Sequence, residues 1–156
     1  KKGMVINMVN VVIGVITKQD KILLIKRERG DFIGLWGIPG GKVEESEHFD
    51  TAIEREIKEE LGLILKFNRL LGTATEIMHD KESTTILQIC ELVMDENQEI
   101  LNPEFEYKWF SKEEFKNSNC IIESDKIMIN EFYYGKTNNY LKLDCYKDKE
   151  GNYFWS

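Results

Sequence analysis

The order of strand-like and helix-like segments along the chain predicts an α/β fold. Residues 9–17 and 21–26 are rich in aliphatic and β-branched side chains, which is typical of buried strands joined as a hairpin. An amphipathic helix follows, because apolar residues recur every four positions from Phe49 to Leu61, with Ile53 and Ile57 between them. Further strands and helices follow this helix, so we expect helices packed on a central sheet.

Local signals predict where this first helix begins and ends. Ser46 is a candidate N-cap, and Glu47 then places an acid in the first turn, where the helix dipole favours it. Gly62 stands just after the last apolar residue, as a left-handed C-cap requires. The stripe formed by Phe49, Ile53, Ile57 and Leu61 is expected to lie against the sheet.

The second half of the chain contains strands, two helices and a polar tail. Residues 63–78 and 84–94 are predicted to be two long strands around a polar turn. A loop and a short strand are expected next, followed by a short helix that Ser111 caps. The last two segments are a helix over 124–134 and an aromatic tail, 136–156, which could form a hairpin around its "KDKEG" turn.

Length, charge and cysteine content limit the classes of function. The 156 residues suit one domain over 1–156, with no linker and with a tail of unclear role. A formal net charge of -7 argues against general nucleic-acid binding. No apolar run could span a membrane and no signal peptide is expected. The cysteines (Cys90, Cys120, Cys145) lack zinc-site spacing, which indicates free thiols and a cytoplasmic protein.

The segment 55–62, "REIKEELG", concentrates negative charge on the predicted helix. Glu56, Glu59 and Glu60 lie within about 100° of helical arc, so they share one face beside the apolar stripe. Such acids on a helix are most often a solvated face. Held together on a rigid element, they are also the ligands that hard cations such as Mg²⁺ require. A cation would in turn allow an acidic site to bind a phosphorylated substrate.

The spacing around these acids favours the second interpretation. From Gly41 onward the chain resembles the Nudix box, GX5EX7REUXEEXGU, with aliphatic Ile57 and Leu63 in the two U positions. All its fixed positions are filled, by Gly41, Glu47, Arg55, Glu56, Glu59, Glu60 and Gly62. "WGIPGG" before the box and "YKWFSKEEF" after it also resemble MutT-like members of the Nudix hydrolase superfamily. Chance rarely fills so many fixed positions.

The resemblance implies a fold, a reaction and a set of site residues. The fold would be an α/β/α sandwich with a mixed central sheet. The activity would be Mg²⁺- or Mn²⁺-dependent hydrolysis of a nucleoside diphosphate linked to another group, by direct attack of water. Glu56, Glu59 and Glu60 would be metal ligands, joined by the backbone carbonyl of Gly40. Arg55 would orient these carboxylates as part of the catalytic set.

Other candidate residues depend on their place in the chain. MutT-like enzymes recruit a further acid from a distant loop, and residues 95–106 offer five acids, of which Glu104 is our choice. Lys26 and Arg27, at the end of a strand, could bind phosphates or could be ordinary surface charge. Trp36 could stack on a base, although packing is the commoner fate of such an aromatic.

Three functions remain open at this stage. The first is a MutT-like hydrolase of nucleoside triphosphates. The second is a non-catalytic domain that senses a nucleotide, which the complete set of box acids disfavours. The third keeps the chemistry but changes the substrate to ADP-ribose, a dinucleoside polyphosphate, a nucleotide sugar or an RNA 5′ end. Many ADP-ribose hydrolases carry a proline beyond the box, where this chain has "TEIMHD". A homodimer is possible, since the aromatic tail could support one.

Overall fold

A computed structural model of the protein describes residues 8–156. The expectation that no signal peptide opens the chain concerns residues outside this described part. The strands are Met8–Lys18 (β1), Lys21–Lys26 (β2), Trp36–Gly37 (β3), Gly40–Lys42 (β4), Phe67–Met78 (β5), Ser83–Val93 (β6), Tyr107–Phe110 (β7), Tyr140–Lys147 (β8) and Tyr153–Trp155 (β9). The helices are Phe49–Leu61 (α1), Lys112–Asn117 (α2) and Glu123–Met128 (α3), the last continued by a π-helical segment, Ile129–Gly135.

All of these strands belong to one mixed sheet. Its main order is β3-β2-β1-β6-β5-β8-β9, with β4 paired to β1 and β7 paired to β2. The β1–β6 and β5–β8 pairs are parallel, whereas the other neighbours are antiparallel. Parallel neighbours require long connections, and these connections carry the helices onto the faces of the sheet. The predicted mixed sheet is therefore confirmed.

Apolar side chains pack on both faces of the sheet. Helix α1 covers one face, where Ile53, Ile57 and Leu61 are fully buried. Phe49, the fourth residue of the predicted stripe, is only half-buried and packs edge-on against Phe67. A second cluster on the other face includes side chains from α2, α3 and the π-helical segment. The architecture is thus the α/β/α sandwich that the resemblance implied.

The predicted start of α1 is wrong. Ser46 is not the N-cap; it lies in a turn with φ 60°, and α1 begins at Phe49 after His48, whose side chain makes no capping hydrogen bond. Glu47 consequently precedes the helix instead of lying in its first turn. Its carboxylate accepts hydrogen bonds from the backbone of Glu44 and from Arg55, so the turn is held by Glu47 instead of by a serine cap.

The strand predicted over 63–78 begins only at Phe67, whereas the predicted end of α1 and the start of α2 agree with the structure. Gly62 ends α1 with φ 67° and donates its backbone N–H to Lys58, as a left-handed C-cap does. Ser111 begins α2 in a capping box with Glu114. The tail forms the β8–β9 hairpin. Within residues 8–156, every helix is too short or too polar to cross a membrane.

Candidate active site

Two glycines bring strand β4 against the acidic face of α1. Gly40 has φ 156°, and a Cβ atom there would collide with the backbone oxygen of Val12 on β1. A Cβ atom on Gly41 would lie 2.5 Å from the carboxylate of Glu56. Only glycine lets a strand approach both neighbours this closely. The glycine pair therefore places backbone polar groups beside the carboxylates of the helix.

Glu60 and Glu56 are acids that folding largely removes from water. Glu60 is only 8% exposed, and its Oε1 accepts a hydrogen bond of 2.9 Å from the Gly40 N–H. Burial, reinforced by the charges of Glu56 and Glu104, raises the pKa of Glu60 to about 8. Burial likewise raises the pKa of Glu56, although the guanidinium of Arg55 opposes the shift. Glu59 differs, since its side chain is 54% exposed.

Arg55 holds the acidic face together. Its Nε and Nη2 donate to the two oxygens of Glu47 at 2.8 and 2.9 Å. Its Nη1 donates to Glu56 at 3.0 Å and to Glu59 at 3.3 Å, and Nη2 also donates to the carbonyl of Lys42. The Arg55 hydrogen bonds lower the pKa of Glu47 to about 2. One guanidinium thus fixes two carboxylates of the cluster to the turn before α1.

A cavity of about 370 Å³ opens beside this acidic face. Gly40, Glu56, Glu59 and Glu60 line one side of it, and Glu104 also lines it. The backbone N–H of Glu104 donates to the carbonyl of Glu60 at 2.8 Å, which fixes the distant loop to the end of α1. The structure therefore brings all the predicted metal-ligand candidates to one cavity.

Cationic side chains line the same cavity. Lys26 and Arg27 line it, as do Glu28 and Arg29. The side chain of Arg29 donates to Glu104 at 3.0 Å, and its guanidinium stacks over Phe105. The Nζ of Lys26 lies 3.6 Å from the Oε2 of Glu106. Carboxylates and cations thus line one cavity together.

The structure does not bring Trp36 into the cavity wall. Its ring packs edge-on against Phe110, with centroids 5.9 Å apart, in the core beneath α2 and α3. The Nζ of Lys26 lies over the same ring, 5.7 Å from its centroid. Trp36 therefore does not line the cavity; it contacts Lys26, which does.

Sequence reasoning missed two groups around the site. Arg29 belongs to the visible charge run "KRER" and could have been included with Lys26 and Arg27. Asp125 carried no local signal, because its contact spans 87 residues: its Oδ2 accepts a 2.9 Å hydrogen bond from the backbone N–H of Ile38. Burial raises the pKa of Asp125 to about 7. This buried carboxyl supports the strand that leads into Gly40.

The donor chemistry at the cavity suits a hard divalent cation. Carboxylate and carbonyl oxygens are the ligands that Mg²⁺ and Mn²⁺ prefer. Burial raises the pKa of both Glu56 and Glu60, so a bound cation would stabilise their charged forms. Even so, no three histidine, cysteine or acidic side chains of residues 8–156 stand together as a ready-made ion site. Glu56 is turned toward Arg55, and Glu60 toward the Gly40 N–H.

Comparison with known proteins decides the family. The model of the NUDIX domain family matches residues 7–132. This chain belongs to the Nudix family. It is 32% identical over 111 residues to the nucleoside triphosphatase NudI of Escherichia coli, a match that covers 65% of this chain and 79% of NudI. The resemblance stated from the box is therefore confirmed.

Other relatives differ in what their names say they act on. The chain is 54% identical over 59 residues to an ADP-ribose pyrophosphatase of Methanocaldococcus jannaschii, covering 38% of this chain and 35% of that protein. It spans only 35% to 46% of the first three curated relatives that it matches. Among solved structures, a MutT protein from Methanosarcina mazei Go1 superposes with a TM-score of 0.72, at 20% identity, over 87% of this chain and 100% of that one. That likeness supports the fold.

Proposed function

We propose that this Nudix protein is a divalent-metal-dependent pyrophosphohydrolase that cleaves nucleoside triphosphates. The observation that carries the proposal is the cavity itself. Its lining combines the acids Glu56 and Glu60 with the cationic side chains of Lys26, Arg27 and Arg29. A phosphate chain that arrives with a divalent cation would complement both sets of charges, whereas an uncharged ligand would complement neither.

The cation would be held by oxygen ligands from three parts of the chain. We assign this role to Glu56, Glu59 and Glu60 of α1, the carbonyl of Gly40 and the carboxylate of Glu104. When bound, Mg²⁺ or Mn²⁺ offsets the negative charge of the carboxylates and polarises phosphate and water oxygens. The hydrogen bonds of Glu56 to Arg55 and of Glu60 to the Gly40 N–H engage the Oε1 atoms, so the Oε2 atoms are available to a cation.

Different residues of the chain would then have different roles in hydrolysis. Water attacks phosphorus, and the bond between that phosphorus and the bridging oxygen of the leaving group breaks. In this scheme Glu56 also accepts the proton of the attacking water, as general base. Arg55 keeps Glu56 and Glu59 in place, and Lys26, Arg27 and Arg29 bind the phosphate chain.

Nucleoside triphosphates are the favoured substrates for two reasons. NudI, named a nucleoside triphosphatase, matches this chain over 79% of its own length, far more than the ADP-ribose pyrophosphatase does. The proline common in ADP-ribose hydrolases is also absent from the segment "TEIMHD". The same chemistry on ADP-ribose, a dinucleoside polyphosphate, a nucleotide sugar or an RNA 5′ end is the alternative.

We also propose that residues 1–156 form one domain. The family model ends at residue 132, yet the β8–β9 hairpin beyond it pairs with β5 and continues the same sheet. Leu143 and Cys145 of this hairpin are buried against the rest of the protein. A hairpin that shares the sheet and the core supports one folding unit.

A substrate panel tests the proposed activity. Nucleoside triphosphates, ADP-ribose, a dinucleoside polyphosphate and a nucleotide sugar are incubated with the protein and Mg²⁺ or Mn²⁺, and released phosphate and pyrophosphate are measured. We expect the triphosphates to be cleaved fastest. Glu60→Gln should lower turnover by about two orders of magnitude, because it removes a strong electrostatic contribution.

The matched control is Glu99→Gln, which changes an exposed acid in the same loop as Glu104 but outside the cavity. Its turnover should equal that of the wild type. Nucleotide binding without any product, across the whole panel and with both metals, would favour a nucleotide sensor over a hydrolase.

A further inference from the structure

The loop between β2 and β3, residues 27–35, touches two distant parts of the molecule. At its tip, the carboxylate of Asp31 accepts a 2.9 Å hydrogen bond from Lys81 in the β5–β6 turn. The ring of Phe32 lies 5.5 Å from Tyr153 and 5.5 Å from Trp155, both on β9. We call these contacts of Asp31 and Phe32 the clasp.

The β9 side of the clasp is itself firmly anchored. The indole Nε1 of Trp155 donates to Glu76 on β5 at 2.8 Å. The hydroxyl of Tyr153 donates to Asp80 at 3.2 Å, and the backbone N–H of Ser156 donates to the carbonyl of Asp144. The hairpin therefore offers the loop a fixed surface.

Phe32 adopts an uncommon backbone conformation to reach this surface. Its φ is 66°, a region that bulky side chains rarely occupy. Such a conformation persists where surrounding contacts fix it. Here the surrounding contacts are the two aromatic rings of β9.

The base of the same loop lies in the active-site cavity. Arg27 and Arg29 line the cavity, and Arg29 is paired with Glu104. Two backbone hydrogen bonds join the ends of the loop. The N–H of Arg27 donates to the carbonyl of Leu35, and the N–H of Gly34 donates to the carbonyl of Arg27. The N–H of Leu35 donates to the carbonyl of Phe32, so hydrogen bonds connect the tip of the loop to its base.

We propose that the clasp, which the β5–β6 turn makes on Asp31 and the β8–β9 hairpin makes on Phe32, positions the substrate's phosphate chain by holding Arg27 and Arg29 at the cavity. Asp31, Phe32, Lys81, Tyr153 and Trp155 are positioning residues in this scheme. The inference rests on the phosphate-binding part of the proposed function. It assigns a role to a hairpin that lies beyond the range matched by the family model.

The test measures how tightly the full-length protein binds inorganic tripolyphosphate in the presence of Mg²⁺, by calorimetry. This probe contains only the phosphate chain and reports binding without turnover. Lys81→Asp, which replaces attraction by repulsion at Asp31, should weaken binding at least about threefold. Phe32→Ala should weaken it to a similar extent. The swapped pair, Asp31→Lys with Lys81→Asp, should restore the wild-type affinity to within about twofold, because it recreates the ion pair.

Two controls separate positioning from charge and stability. Lys149→Asp makes the same change of charge as Lys81→Asp, but on the exposed turn of the β8–β9 hairpin. Phe154→Ala removes an exposed β9 ring that stacks on Tyr146 and not on the loop. Both should bind tripolyphosphate as the wild type does.

The proposal is overturned if Lys81→Asp binds no more weakly than Lys149→Asp, if the swapped pair does not recover, or if the wild type does not bind tripolyphosphate. Where substrate is cleaved, the clasp variants should raise KM and leave kcat nearly unchanged. The two proposals can fail separately. If the clasp variants bind tripolyphosphate more weakly but the wild type cleaves no substrate, the positioning role of the clasp stands and the proposed hydrolase activity is refuted.

Discussion

Glu60 carries a carboxyl group that folding moves from water to a site beside Gly40 and Glu56. Its pKa is about 8 in the folded protein, against 4.5 for an ordinary glutamate. The folded state therefore binds more protons than the unfolded state between these two values. The stability that this group contributes is complete below about pH 4.5 and is lost as the pH rises toward 8.

This shift predicts the pH dependence of thermal stability without metal. In chelator, Tm of the wild type should fall as the pH rises from about 5 to about 8, and Glu60→Gln should flatten that fall because glutamine does not titrate. Added Mg²⁺ should raise Tm more at the alkaline end, because a metal ligand must be deprotonated. Calorimetric scans across this range make the measurement, with Glu99→Gln as the control. If Tm fell equally steeply with pH in Glu60→Gln and in the wild type, the raised pKa of Glu60 would be contradicted.

Arg55 is expected to act through geometry as well as charge. Lysine keeps the charge but cannot pair with both oxygens of Glu47 while also bonding Glu56 and Glu59. Arg55→Lys should therefore lower metal affinity or activity about 10- to 100-fold, as changes to groups that orient ligands do. Lys58→Arg, at an exposed position of the same helix, is the control. Steady-state kinetics at varied Mg²⁺ make the comparison, and unchanged activity in Arg55→Lys would refute the orienting role.

Residues related by local spacing were predictable, whereas residues brought together by tertiary structure were not. Glu56, Glu59 and Glu60 share a face because the helical repeat is a local property. Arg29 lay in a visible charge run, but its pairing with Glu104 depends on a contact 75 residues away. Trp36 illustrates the reverse case, since nothing local distinguishes a ring packed on Phe110 from one that lines a cavity.

Helix α1 is the element that carries the acids, and its apolar stripe fixes their direction. Ile57 is fully buried directly after Glu56. Ile57→Ala should lower the free energy of unfolding by about 2–5 kcal/mol, through lost burial and a residual cavity. Lys58→Ala, on the exposed side, should stay within about 0.5 kcal/mol of the wild type. Urea denaturation gives both values. If Ile57→Ala lowered the free energy of unfolding as little as Lys58→Ala does, packing of the apolar stripe would not be what stabilises α1.

The boundaries of elements were predictable where one local interaction decides them. Gly62 and Ser111 end or begin their helices with the interactions expected of those residue types. The prediction of Ser46 as N-cap was wrong because Glu47 organises the turn before α1. The partner of Glu47, Arg55, lies eight residues further on. The predicted helix over 124–134 exists, but its second half is π-helical, and no residue in it signals that change.

At the scale of the whole molecule, the fold class followed from the order of elements, but the partners of each strand did not. The β1–β6 pair joins strands more than 60 residues apart, and its parallel register has no sequence signature. The tail was expected to form a hairpin. Its place beside β5, and the contacts of β9 with the 27–35 loop, depend on the completed sheet.

We propose that this cavity hydrolyses a nucleoside diphosphate linkage by direct attack of water. Purified protein, Mg²⁺ and the best substrate of the panel are incubated in oxygen-18 water for a single turnover, and products and protein are analysed by mass spectrometry. We expect one oxygen-18 atom on one phosphorus-containing product and none on the protein, because no covalent intermediate forms. Bound nucleotide that yields no labelled product, or label that appears on a protein carboxylate, would contradict the claim.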